Sequence, residues 1–120
     1  MANEIFVDTS GFYATLCERD AAHEKAAALL AQAAQKKRRF VTTDYILDET
    51  ATLLRMRDLS HLESVLFETV LESTACRIEW MDSARFHETQ RFFLAHADHG
   101  YSFTDSFSFL LMRNLGLSDA

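Results

Sequence analysis

The chain has 120 residues, of which 48% are apolar and none is Pro, so it fits one packed domain and is too apolar for a disordered protein. Its formal net charge of −6 gives no electrostatic footprint of a DNA-binding protein. No run approaches the roughly 18 apolar residues of a membrane span, and no signal-peptide pattern occurs. We therefore expect a cytoplasmic protein without a membrane partner, with Cys17 and Cys76 reduced.

The first predicted strand runs from Ile5 to Val7 and is apolar throughout, which is typical of a strand buried on both faces. Asp8 follows directly, where the strand opens into the turn Thr9-Ser10-Gly11. Ligands of open α/β sheets bind at the carboxyl ends of strands, so a carboxylate here is a candidate ligand for a metal.

Two helices are predicted next, and the same order of one strand and two helices then occurs twice more. Asp20 is expected to cap the second helix, which ends in a basic run from Lys36 to Arg39. Further strands are predicted at 40–42 and 76–80. Helices are predicted to begin at Thr43 or Asp44, at a capping box formed by Ser60 and Glu63, at Asp82 or Ser83, and at Thr104 or Asp105. The last helix is predicted to end at Gly116. This order predicts a single α/β domain with a parallel sheet and right-handed crossovers.

Each of the three strand-and-two-helix units contains one candidate acid, which lies directly after the strand or on a helix that follows it. On the third helix, the helical phase turns Asp48 to solvent and places Glu49 at the border of the apolar face. Asp105 lies in the first turn of the most apolar helix. Taken singly, Asp8 reads as a turn residue, Glu49 as a solvated acid and Asp105 as a helix start. Together they would gather at one rim of the sheet, where clustered carboxylates require a cation such as Mg²⁺ or Mn²⁺ and favour phosphodiester hydrolysis.

The segments Phe6 to Ala14, Thr43 to Thr50 and Tyr101 to Phe109 resemble the acidic motifs of PIN-domain ribonucleases, especially the VapC-type toxins of toxin-antitoxin pairs. The resemblance implies a three-layer PIN fold and a metal-dependent endoribonuclease that leaves a 5'-phosphate and a 3'-hydroxyl. It also implies a cognate antitoxin as partner. By the same resemblance, Asp8, Glu49 and Asp105 bind Mg²⁺ or Mn²⁺, and Ser10 or Thr104 supports them.

Cations near these motifs are candidate RNA contacts, although the basic run reads first as a solvated helix end. The candidates are Lys36, Lys37, Arg38, Arg39, Arg85 and Arg91. Trp80 and the Phe residues read as core side chains, not as platforms on which bases stack.

The chain departs from the family pattern after its last helix. The family usually adds one or two strands and a fourth acid, and Asp119 comes too early for that role. We therefore expect a C-terminally truncated domain with weak metal affinity. An open edge at the first strand would favour a homodimer or strand exchange. The alternatives are a degenerate PIN-like domain that binds RNA or protein without cleaving it, and a nuclease for structured DNA.

Overall fold

The computed structural model describes residues 4–117 of the chain. Within this range the strands are β1 (Glu4–Phe6), β2 (Arg39–Thr43) and β3 (Cys76–Glu79). The helices are α1 (Thr9–Leu16), α2 (His23–Gln35), α3 (Asp44–Met56), α4 (Glu63–Leu71), α5 (Ser83–Ala95) and α6 (Phe103–Leu115). Short 3₁₀ turns at Ser60–Leu62 and Ala97–His99 precede α4 and follow α5. None of the described helices is long and apolar enough to cross a membrane.

The strands form a parallel sheet in the order β1-β2-β3, which confirms the predicted α/β architecture. Phe6 is in register with Val41, and Val41 is in register with Arg77. The ladder continues one residue past β1, where the Val7 N–H donates to the Val41 carbonyl oxygen at 2.9 Å. Since all strands run the same way, their carboxyl ends lie at one rim of the sheet, and within the described residues β1 pairs only with β2.

The core forms where the sheet meets α1, α3, α4 and α6. Phe6, Val41, Leu54 and Leu66 are almost completely buried and belong to one apolar cluster. Burying one such side chain stabilises the fold by about 1.5–3 kcal/mol. Helices α5 and α6 pack against each other. The core therefore fixes the end of β1 and the start of α3, which carry two of the predicted site acids.

Three helix starts differ from the predictions. Asp20 does not cap α2; its carboxylate accepts the Ala22 N–H in the preceding turn. Ser60 and Glu63 form no capping box, because Ser60 opens a 3₁₀ turn and the Glu63 carboxylate binds Arg55 at 2.6 Å. Helix α6 begins one residue earlier than predicted and is capped by Ser102. Side-chain caps at Thr43 and Asp82, and the stop at Gly116, are confirmed.

Several large apolar side chains are exposed, contrary to the core interpretation. Trp80 is 58% exposed, and Phe86 and Phe109 are also exposed. The apolar face of α2 is only partly covered, since Leu29 is 54% exposed. These side chains do not belong to the buried apolar cluster around β2.

Candidate active site

A large cleft opens at the carboxyl end of β1 and has a volume of about 1170 Å³. Asp8, Glu49 and Asp105 all line it, although they come from three separate elements. Residues 8, 49 and 105 are exposed on its surface. The fold therefore brings the three predicted acids to one surface, as expected from the alignment of strand ends.

Asp8 ends β1 and caps α1. Its Oδ1 atom accepts the Gly11 N–H at 2.9 Å and the Ser10 hydroxyl at 2.9 Å. A side chain at Gly11 would bring its Cβ atom within 3.2 Å of Val7 and 3.4 Å of Asp8 Oδ1. Glycine thus allows the first turn of α1 to approach the carboxylate. These contacts hold one Asp8 oxygen toward the helix start.

Glu49 lies on the second turn of α3 and is oriented by Thr9. The Thr9 hydroxyl donates to Glu49 Oε1, so it connects the turn after Asp8 to the second acid. Thr9 was missed as a supporting residue, although its position directly after Asp8 was a usable signal. Ser10, which was predicted, binds Asp8 as described above and also lines the cleft.

Asp105 is the third residue of α6 and closes a capping box with Ser102. Its Oδ2 atom accepts the Ser102 N–H at 3.1 Å, and the Ser102 hydroxyl accepts the Asp105 N–H at 3.0 Å. The helix-start interpretation and the cleft position therefore both apply to this residue. Thr104, the other predicted helper, is half-buried and is not among the residues that line the cleft.

The carboxylate oxygens of Asp8, Glu49 and Asp105 are ligands of the type that a hard divalent cation prefers. Each acid accepts a hydrogen bond at one oxygen, as described above, and this contact orients it. Within residues 4–117, no three His, Cys, Asp or Glu side chains lie close enough together to hold a metal ion. Binding would therefore require the exposed carboxylates to turn toward one another. Asp119 lies outside the described residues.

Of the six predicted RNA-contacting cations, only Arg38 lines the cleft. Arg85 is instead engaged on α5, where it binds Glu79 at 2.6 Å and the Trp80 carbonyl oxygen at 2.9 Å. The other four do not line the cleft: Lys36, Lys37, Arg39 and Arg91.

Two cations that sequence reasoning missed, Lys25 and Arg57, do line the cleft. A signal for Arg57 was present in the sequence. Glu49, Leu53 and Arg57 follow at intervals of four residues, which places them on one face of α3. All three line the cleft, so the helical spacing that singled out Glu49 also extends to Arg57.

Similarity to known proteins decides the family. The family model described as PIN domain matches residues 5–118. The chain belongs to the PIN-domain family. The 23S rRNA-specific endonuclease VapC20 of Mycobacterium tuberculosis, strains CDC 1551 and H37Rv, is 34% identical over 116 residues, which cover 97% of this chain and 86% of the relative.

A solved PIN-domain structure agrees with this assignment. The crystal structure of Mycobacterium tuberculosis VapC20, described as a sarcin-ricin loop cleaving toxin, superposes with a TM-score of 0.83 at 32% identity. It covers 94% of this chain and 84% of the other. The chain is a VapC-type PIN-domain endoribonuclease, which confirms the prediction from the three acidic motifs.

Proposed function

We propose that this PIN-domain protein is the ribonuclease toxin of a toxin-antitoxin pair and cleaves 23S ribosomal RNA in the sarcin-ricin loop. The observation that carries the proposal is the convergence of Asp8, Glu49 and Asp105 on one cleft. Similarity to VapC20 over 97% of the chain supports the choice of substrate. Ribosomal RNA as substrate implies a cytoplasmic location, and the toxin class implies a cognate antitoxin.

Asp8, Glu49 and Asp105 would hold Mg²⁺ or Mn²⁺. When bound, the ion supplies positive charge at the scissile phosphate and lowers the pKa of an attacking water. Thr9 fixes the direction of Glu49, while Ser10 and the Gly11 N–H fix that of Asp8. The Ser102 N–H donates to Asp105 Oδ2 and so fixes the direction of the third acid.

The test is cleavage of a labelled sarcin-ricin hairpin RNA by the purified chain in Mg²⁺, in Mn²⁺ and in EDTA. We expect metal-dependent cleavage at one site, and loss of cleavage in Asp8→Asn and Glu49→Gln. Asp48→Asn is the matched control, because Asp48 is the exposed neighbour of Glu49 but does not line the cleft. Equal activity of Glu49→Gln and Asp48→Asn would exclude the proposed role of Glu49.

The alternative expected from the sequence, an RNA-binding module without cleavage, is tested separately. The three carboxylates are exposed, and among residues 4–117 no three acids, His or Cys form a ready metal cage. Titration with Mn²⁺ in a calorimeter separates the two functions. Heat that Asp8→Asn removes supports the nuclease, whereas RNA binding without metal binding or cleavage supports the module. A panel with structured DNA tests the third alternative.

Oligomer formation stays a prediction. Within the described part of the chain β1 has a neighbour on one side only, and Ile5 in β1 and Val7 directly after it line the cleft. An unpaired strand edge of this kind can pair with another chain. Light scattering at several concentrations tests the predicted homodimer, and a monomer at all of them would contradict it.

A further inference from the structure

The cleft carries cations as well as acids. Lys25 lies on α2, and Arg57 directly follows α3. Neither of them forms an ion pair with any residue between 4 and 117, in contrast to several arginines elsewhere. Arg55 binds Glu63, Arg77 binds Glu4, and Arg85 binds Glu79, each at 2.6 Å.

Tyr13 holds the Arg57 side chain. The Arg57 Cζ atom lies 4.9 Å from the centroid of the Tyr13 ring, which is cation–π geometry. Tyr13 is half-buried on α1, and α1 packs against both α2 and α3. The N–H donors of a guanidinium lie in the plane of the group, so a ring on one face leaves them available. Two of these donors can bind two oxygens of one phosphate.

One acid of the cleft, Asp20, acts on Arg57 without forming an ion pair with it. The Asp20 carboxylate accepts the Ala22 N–H. A side-chain hydrogen bond with Tyr13 raises the pKa of Arg57, and the charge of Asp20 adds to this rise. Arg38 lines the same cleft and has another contact. Within residues 4–117, Lys25 and Arg57 therefore line the cleft without an ion-pair partner.

We propose that Lys25 and Arg57 bind phosphates of the RNA backbone beside the three acids, as a subsite separate from the site of cleavage. This inference rests on the proposed ribonuclease function. The two cations and the three acids line one cleft, so an RNA strand that reaches the acids also passes the cations. The acids would hold the metal that binds the scissile phosphate, and the two cations would bind neighbouring phosphates directly.

The experiment measures RNA binding in an Asp8→Asn background, so that cleavage does not interfere. The probe is a sarcin-ricin hairpin RNA, and its dissociation constant is measured over a range of salt concentrations. Each lost phosphate contact lowers the slope of log K against log salt by about 0.7–0.9. We expect that decrease for Lys25→Gln and for Arg57→Gln, and twice that decrease for the double variant. Arg57→Lys should restore the slope but not the full affinity, because lysine lacks the planar pair of donors.

Arg113→Gln is the control, because residue 113 is exposed in the last turn of α6 and does not line the cleft. Its slope should equal that of the background protein. Unchanged slopes in Lys25→Gln and Arg57→Gln, or an equal decrease in Arg113→Gln, overturn the subsite even if the wild-type chain cleaves RNA. The expected slopes without metal-dependent cleavage support the subsite and reject the ribonuclease. Tighter binding of a poly-glutamate peptide than of RNA through Lys25 and Arg57 would also overturn it, since the site would then serve an acidic protein.

Discussion

Asp105 has a structural role and a proposed chemical role, and two substitutions separate them. Ser102→Ala removes the hydroxyl that accepts the Asp105 N–H at 3.0 Å but leaves the carboxylate in place. Loss of such a cap costs about 1 kcal/mol, which corresponds to about 4 °C in Tm for a domain of this size. Asp105→Asn keeps an oxygen that can accept the Ser102 N–H, so it should cost only about 0.5 kcal/mol from the lost charge at the helix start.

The effects on cleavage should be in the opposite order. If Asp105 holds the metal as proposed, Asp105→Asn removes the charge of one ligand, and we expect cleavage to decrease by at least about 100-fold, or about 2.7 kcal/mol. Ser102→Ala should cleave at nearly the wild-type rate well below its Tm. The assays are thermal unfolding by circular dichroism and single-turnover cleavage of labelled RNA. Wild-type cleavage by Asp105→Asn would mean that Asp105 is only a helix cap.

Three further predictions concern stability and reactivity. Hydrogen bonding to Arg77 lowers the pKa of Glu4 below 4.5. The pair therefore stabilises the fold above pH 4.5, and this stabilisation is lost as the pH falls through the lowered pKa. In Glu4→Gln, the free energy of unfolding should therefore decrease less steeply as the pH is lowered. Ser106→Ala should destabilise the fold by about 1 kcal/mol, because the buried Ser106 hydroxyl donates to the Ser102 carbonyl oxygen. Ser108→Ala should be neutral or stabilising, because the Ser108 hydroxyl is buried without a partner in residues 4–117. Urea unfolding of both variants tests this difference. Burial raises the pKa of the Cys76 thiol, so alkylation at pH 8 should be slow in the folded protein and fast in urea, and equal rates would contradict it.

Local signals in the sequence were sufficient where one element decides the outcome. The apolar run before Asp8 predicted the first strand, although within it only Phe6 is fully buried. The side-chain caps at Thr43 and Asp82 are at the helix starts proposed for them. Local signals failed where a residue on another helix binds the same side chain. The Glu63 carboxylate is used by Arg55 from the preceding helix and not by the backbone at Ser60, so the expected capping box does not form.

The sequence by itself determined the order of strands and helices, the three acids and the family to which they point. Apolar periodicity and strand-end position depend on neighbours along the chain, and these can be read without the fold. Only the tertiary structure decided that Thr9 orients Glu49, that Trp80 is exposed, and that Lys25 and Arg57 share the cleft with the acids. The contacts of Thr9, Lys25 and Arg57 depend on how α1, α2 and α3 pack, because side chains far apart in sequence meet only when their helices do.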